Sequence, residues 1–588
     1  MSKEVLISGY FNDYNELSPG YVIADLNTGI IKEHKTNCKY QGEFKGKRYD
    51  YDDNYIICPG DFNAHSHPEQ SLYTDIVDKD WDLFTWCKNT IYKYSVTLTS
   101  KHVYLASVRA FTRMLSLGVT TVMVSFYCHN NKGNVLDREV IRAANDCGIR
   151  LYYGRMNYDV VNENAYEEKK ISQRSFFETP TIAEKNYKSL LAEYDFINVE
   201  IAPSLHSIHA STKEAIVRAI NLGNKYDKYI QFHLSEDPSD VELSLKLYGK
   251  RPVEFLLSLV ENGEVETLSR VILSDCVWIN DREREIIKDQ NMLVVLNPRM
   301  NNRVKTGEAD LIKFIFEGIT TYLGTDGEAS NDDLSITGER EYLKKRYSDI
   351  DNRFIDKFGT KSFKFKHGYI GEVKTGSFCD VKILKGAQVI DVFVGGNKVL
   401  SNGEVVTLDV ESDIEKPLKK IINQEVKNKA ESSIETDVGE LLTKKQLTIA
   451  TAESCTGGLL AGRLINYPGI SSSFMEGVIT YSNEAKIRNL NVGKETLNLH
   501  GAVSSETAKE MATGIAKKAG TDIGISVTGV AGPGGGTDEK PVGLVFVGLY
   551  IGGSVMVKEL HLKGDRQKIR EDTVMVALKW IKKELINF

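Results

Sequence analysis

The stretch Pro59-Gly-Asp-Phe-Asn-Ala-His65-Ser-His67 follows a short apolar run at 55–58 and sets two histidines one residue apart. In extended backbone, residues i and i+2 point the same way, so both imidazoles can reach one cation from the end of a strand. An HxH pair alone is a weak signal. It gains weight from Gln231-Phe-His233-Leu-Ser-Glu236 and Gly324-Thr-Asp326-Gly, which end two later apolar runs. Eight such runs, at 55–58, 119–126, 149–156, 197–203, 228–233, 270–278, 292–298 and 320–326, alternate with longer amphipathic segments. Helical stretches at 100–117, 212–226 and 309–317 fall between them. This is the alternation of a (β/α)8 barrel, whose functional side chains collect at the C-terminal ends of its strands.

The flanks read differently. Residues 1–54 and 366–408 consist of short strands with glycine turns, which predicts one small β-sandwich assembled from both sides of a barrel at 55–365. Segment 409–431, rich in Lys, Glu, Asn and Ser, predicts a linker, with a helix over 415–429. Beyond it, a helix at 438–442, a strand at 446–452, a helix at 504–519 and a strand at 523–528 predict a separate α/β sandwich over 432–588.

The chain has 588 residues, 41% hydrophobic and 26% charged, the balance of an ordinary globular protein. Its net charge of -7 makes no global case for nucleic acid or an anionic membrane as partner, which favours small molecules. The first residues carry no apolar core behind a basic head, and no run of about 18 apolar residues occurs. The eight cysteines contain no CxxC pair, which argues against a disulfide framework or a cysteine zinc site. A cytoplasmic homo-oligomer with reduced thiols is expected.

The HxH segment, together with Asn297-Pro-Arg-Met-Asn301, Asp326-Gly-Glu-Ala-Ser-Asn331 and Lys374-Thr-Gly-Ser-Phe-Cys-Asp-Val-Lys-Ile383, resembles the ATZ/TRZ branch of the metal-dependent amidohydrolase superfamily over residues 1–408. The resemblance implies that His65, His67, His233 and Asp326 ligate one divalent metal, zinc or iron, and that Glu236 shuttles protons. The family usually carries a histidine at the end of strand six; here Leu273-Ser-Asp275-Cys276-Val277-Trp278 puts Asp275 in that place. A carboxylate accepts a hydrogen bond or binds metal but is a poor proton donor at neutral pH. The barrel is therefore either an aminohydrolase of unknown substrate or a module that holds ligand without turnover. Ring deamination is the first expectation, with amide or halide hydrolysis open. His206 is a candidate substrate contact; His209 and, less so, His129 share that ambiguity.

Thr451-Ala-Glu-Ser-Cys-Thr-Gly-Gly458, Tyr481-Ser-Asn-Glu-Ala-Lys486, His500-Gly-Ala-Val-Ser504 and Thr528-Gly-Val-Ala-Gly-Pro-Gly-Gly-Gly536 follow in order. Together they resemble the C-terminal domain of CinA proteins, the nicotinamide mononucleotide deamidase family. That resemblance implies hydrolysis of nicotinamide mononucleotide to nicotinate mononucleotide and ammonia without a cofactor. It places the nucleophile at Ser471, with Ser472 as the neighbouring alternative, and Tyr481 and Lys486 as its activators. Gly457, Gly458, Thr528 and Gly529 belong to two glycine turns able to approach a phosphate and ribose, and Arg566 in Gly564-Asp-Arg566 can pair with the phosphate. Cys455 is a second conceivable nucleophile. The whole chain is expected to be a bifunctional C–N hydrolase.

Overall fold

The computed structural model describes residues 3–12, 17–194, 196–356, 358, 361–421, 434–467 and 469–588. The chain divides into two compact units, Met1–Gln424 and Glu425–Phe588. Most of the expected linker helix and the start of the second domain, 422–433, lie outside the described residues. The described part before them is a π turn at Glu411–Glu415 and a helix at Lys416–Ile421.

In the first unit both flanks build one nine-stranded sheet. The halves join where Ile56–Pro59 runs antiparallel to Val381–Lys385, with Cys58 opposite Lys382. Val5, Ile7 and Ile57 from the first flank pack with Val381, Ile383 and Phe393 from the second, so neither flank has a core of its own. This corrects the expectation that 55–58 is the first barrel strand. Gly60 breaks the two runs: a Cβ there would sit 2.1 Å from Thr120 Oγ1. The first barrel strand, β1, is Asp61–Ser66.

The other barrel strands are β2 Val119–Phe126, β3 Arg150–Asn157, β4 Val199–Leu205, β5 Ile230–Leu234, β6 Val271–Asp275, β7 Leu293–Leu296 and β8 Thr321–Leu323. Strands β1–β4 and β5–β8 form two parallel four-stranded arcs. Phe62, Met123, Tyr152, Ala202, Ile272, Val295 and Tyr322 meet in one cluster, although they come from seven strands. Side chains from strands all round can touch only in the lumen, so this is the packed interior of a barrel. The seams close through the main chain of the expected site. His233 N–H donates to His206 O at 3.0 Å, and Asp326 N–H to His65 O at 3.1 Å. The barrel is pinned to the flank sheet by Arg150, whose Nε and Nη2 donate to Asp380 at 2.6 and 2.9 Å with both residues buried.

The second unit is a five-stranded sheet. Its strands are β9 Ile449–Glu453, β10 Phe474–Ile479, β11 Ile523–Gly529, β12 Leu544–Ile551 and β13 Ser554–His561, in the order β10-β9-β11-β12-β13. The first three are parallel and the rest antiparallel. Helices Ile434–Lys445 and Arg566–Asn587 contribute Val438, Leu442, Ile569 and Leu578 to the core with Ile525 and Val547. Helix Ser505–Ala519 contributes Met511 and Ile515 to a second core with Ala450 and Leu490. Among the described residues, no helix of either unit is long and apolar enough to cross a membrane.

Candidate active sites

At the C-terminal end of the barrel, His65 and His67 leave β1 and meet His233 from β5. The Nε2 of His233 lies 3.1 Å from that of His65 and 3.3 Å from that of His67. Every Nδ1 faces an oxygen that can only accept: His65 faces Gln231 Oε1 at 3.0 Å, His67 Ser125 O at 2.5 Å and His233 His206 O at 2.7 Å. Each Nδ1 therefore carries a ring proton, and when the rings are neutral each Nε2 turns a lone pair toward the others. Lone pairs at that spacing repel unless a cation lies among them. Asp326 Oδ1 joins them, 3.4 Å from His65 Nε2 and 3.2 Å from His67 Nε2, while its other oxygen accepts from Ser330 Oγ. Three nitrogen donors and a carboxylate, each ring fixed from behind, suit one divalent ion of the zinc or iron type.

Burial sets the charges around this cluster. It drives His67 down to about 3 and His206 well below the usual histidine range. Glu236, half-buried two residues beyond β5, is held well above the usual carboxylate range by burial and then by the charges of Asp275 and Asp240. Its main-chain N–H donates to Asp240 Oδ2 at 2.9 Å, and Asp240 Oδ1 lies 3.1 Å from His209 Nε2. His209 thus braces the loop carrying Glu236.

Asp275 ends β6 fully buried. Its Oδ1 accepts from Asn297 Nδ2 at 2.8 Å and Asn301 Nδ2 at 3.4 Å, and its Oδ2 has no partner among the described residues. In the β5–β6 register Asp275 stands opposite Leu234, the residue after His233, which puts its carboxyl at the same end of the barrel as the histidines. His206 lies 5.1 Å from the His233 ring, with Tyr127 and Tyr158 edge-on to it at 4.5 and 5.2 Å. His129, by contrast, is spent on structure: buried, it faces Asp137 Oδ2 at 3.1 Å and Met156 O at 2.9 Å. Gln231 and Ser125, which orient the imidazoles of His65 and His67, were not singled out in the sequence. The spacing Gln231-Phe-His233, one face of one strand, is the signal that could have found Gln231.

In the second unit, Ser454, Thr480 and Gly529 lie at the C-terminal ends of β9, β10 and β11, the sheet edge where α/β folds place ligands. Lys486 is buried, with Nζ 2.8 Å from Thr480 O, 3.5 Å from Tyr481 O and 3.2 Å from Ser454 Oγ. Burial lowers its pKa. The expected pairing of Lys486 with Ser471 is not formed within the chain. Ser471 is exposed in the turn Ile470–Ser472 that enters β10, whereas Lys486 packs where β10 ends. A strand of that length spans on the order of 20 Å. Ser472 shares the turn and accepts no better: its Oγ donates to Gly469 O. The serine beside Lys486 is Ser454.

The other expected residues divide. Arg566 Nη1 donates to Gly532 O at 2.7 Å and Nη2 to Tyr481 Oη at 3.2 Å, which brings Arg566, Tyr481 and the 528–536 turn together. Thr528 is buried with its hydroxyl donating to Ala502 O, so it holds a neighbouring loop. A Cβ at Gly529 would meet Leu544 O at 2.7 Å, which makes that glycine a packing requirement. Gly457 and Gly458 have φ of 60° and 94°, where only glycine is unstrained. Their amides are already used, Gly457 N–H by Ser454 O and Gly458 N–H by the Glu453 carboxylate, so they offer no anion cradle. Burial pushes the Cys455 thiol up to about 11, which suits a packed thiol and not a nucleophile.

The amidohydrolase family model matches residues 56–399, and the CinA C-terminal domain model matches residues 431–585. An adenosine deaminase from Xanthomonas campestris, solved with bound zinc, shares the first unit's fold at 18% identity and a TM-score of 0.59, covering 71% of this chain and 98% of its own. The atrazine chlorohydrolase TrzN from Arthrobacter aurescens TC1, also complexed with zinc, does so at 18% identity and 0.61, covering 71% and 100%. A competence-damage inducible protein of Clostridium acetobutylicum is 57% identical over 187 residues, 32% of this chain and 46% of its own length. One from Clostridium novyi is 59% identical over 174 residues, 30% and 42%. The chain spans just under half the length of these curated relatives. On the matched residues and the barrel they build, this chain belongs to the amidohydrolase family and carries a CinA C-terminal domain later in its sequence.

Proposed function

We propose that the protein is a bifunctional C–N hydrolase: a metal-dependent aminohydrolase in the barrel and a nicotinamide mononucleotide amidase in the second unit. The three converging Nε2 atoms of His65, His67 and His233 carry the first half. A divalent ion held by these rings and Asp326 supplies a Lewis acid that lowers the pKa of water toward neutrality. Glu236, whose carboxyl is held well above its usual range by burial, moves a proton to the departing nitrogen. Asp275 accepts a hydrogen bond from the attacking water through its free oxygen, and His206 with Tyr158 bounds the ring of the substrate. The adenosine deaminase neighbour favours ring deamination; the chlorohydrolase neighbour keeps halide displacement as the second choice.

The Lys486–Ser454 contact carries the second half. A neutral lysine has two N–H bonds and one lone pair. Two carbonyls, Thr480 O and Tyr481 O, take the N–H bonds, which leaves the lone pair for the Ser454 hydroxyl. Ser454 Oγ then attacks the carboxamide carbon as its proton passes to Lys486, ammonia leaves with that proton, and water hydrolyses the acyl ester. Arg566, beside Tyr481, pairs with the 5'-phosphate. This half needs no metal.

One observation favours a second reading of the barrel: Asp275 stands where related enzymes use histidine, which suits a module that holds ligand without turnover. Ammonia release by the full-length, metal-loaded chain from nicotinamide mononucleotide and from a panel of nucleosides, triazines and pterins separates the readings. Release from nicotinamide mononucleotide alone would leave the barrel as a binding module. A cytoplasmic setting and self-association belong to the same proposal, the first on eight cysteines that are all free.

A further inference from the structure

A run of rings leads outward from the histidine cluster and ends in two lysines. His206 lies 5.1 Å from His233, and Tyr158 lies 5.2 Å from His206. Gln173, on helix Glu167–Phe176, donates through Nε2 to Tyr158 Oη at 3.0 Å, and Tyr92 packs against that helix one turn earlier, under Lys169. Tyr166 lies 6.1 Å from Tyr92, and beyond it Phe84, 62% exposed, packs 5.6 Å from Tyr166. Lys169 Nζ stands 5.5 Å over the Tyr92 ring and Lys88 Nζ 5.6 Å over the Tyr166 ring. Among the described residues neither ammonium has an ion-pair partner. Lys169 and Gln173 are four residues apart on one face of that helix, so the Lys169 ammonium stands one turn from the Tyr158 hydroxyl. Glu168 approaches Tyr166 from the same helix, Glu167–Phe176, but pairs with neither lysine.

A wall of rings between a hydrolytic centre and paired cations sorts a ligand by its two ends. The flat, aminated end fits against His206 and Tyr158. The far end meets the two ammoniums, which no carboxylate of the described residues neutralises. A neutral ligand would leave those ammoniums to water and gain nothing from them, whereas a carboxylate or phosphate gains charge-assisted hydrogen bonds. We propose that the barrel's substrate is an aromatic-ring amine that bears an anionic group, carboxylate or phosphate, at the end remote from the C–N bond to be broken, and that Lys169 and Lys88 bind that group. The proposal rests on the hydrolase reading above and narrows its substrate class.

The test uses the metal-loaded full-length protein and matched pairs: adenosine and adenosine 5'-monophosphate, cytidine and cytidine 5'-monophosphate, pterin and pterin-6-carboxylate. Ammonia release and equilibrium binding are measured for each member, on the parent and on the Lys88→Met/Lys169→Met double variant. In at least one pair the anionic member should lead by about tenfold or more in kcat/KM, mostly through KM, and the double variant should cut that lead to about threefold or less. Because the lead is a ratio within one protein, a loss of folded variant does not mimic it. An equal or better neutral member in every pair, or a lead that survives the double variant, overturns the proposal. If no member releases ammonia, binding decides. A lead in affinity that the double variant removes keeps the charge recognition and counts against the hydrolase reading; equal or absent binding overturns the recognition itself.

Discussion

Lys486 Nζ lies 3.2 Å from Ser454 Oγ at the C-terminal ends of β9 and β10, while Ser471 lies at the N-terminal end of β10. The first prediction follows from that separation. Ser454→Ala should lower nicotinamide mononucleotide hydrolysis by roughly three to six orders of magnitude, as losses of serine nucleophiles do. Ser471→Ala should leave the rate near that of the parent. Steady-state ammonia release checks both, and the reverse ranking would return the nucleophile to Ser471.

The amidase should depend on pH through Lys486. Its pKa is lowered by burial, and with the neutral amine as the proposed base kcat should rise with pH through a pKa below the ordinary lysine value of about 10.4. The effect on stability has the same sign. Between the folded and unfolded pKa values the unfolded chain binds more protons, so stability rises with pH in that window. Lys486→Met should remove the ascending limb along with most of the activity. A pH profile unchanged in shape would mean that another group is the base.

How far the sequence carried the account depended on local geometry. His65 and His67 were legible because i and i+2 share a face in any extended segment, and His233 and Asp326 because strand ends of a barrel converge. The position of β1 was not. The runs 55–58 and Asp61–Ser66 are both apolar and extended, and only the partner strand Val381–Lys385, more than 300 residues on, claims the first for another sheet. The Ser471–Lys486 contact expected from the sequence is absent for a similar reason. Ser471, Tyr481 and Lys486 are close in sequence, yet β10 runs between the first and the other two. Parallel neighbours β9 and β10 bring residues that follow strands together, so Ser454 with Thr480 is the pairing that topology allows. Lys88 and Lys169 carried no motif at all, because their meeting depends on two helices packing over one aromatic cluster.

Asp275 should act on turnover more than on metal binding. Asp275→Asn keeps the oxygen that accepts from Asn297 but loses the charge on the free one, so we expect retained metal and a loss of roughly tenfold to a thousandfold in barrel activity. Elemental analysis beside kinetics checks this. Loss of metal in Asp275→Asn would make Asp275 a ligand.

Arg150→Met should destabilise the first unit by about 3–5 kcal/mol, because it leaves Asp380 buried without its partner. Calorimetry of the full-length chain should show the lower transition shifted, with nicotinamide mononucleotide hydrolysis intact at ambient temperature. A transition that does not move would mean that water or another cation already serves Asp380.

The account depends most on one divalent ion held by three imidazoles. Elemental analysis of the purified full-length protein, reconstituted with zinc, iron or manganese and compared with His233→Ala, measures it directly. The account predicts about one ion per chain in the parent and a loss of affinity in His233→Ala of at least about a hundredfold. A parent that takes up none of the three metals, or a variant that holds them as tightly, would contradict it.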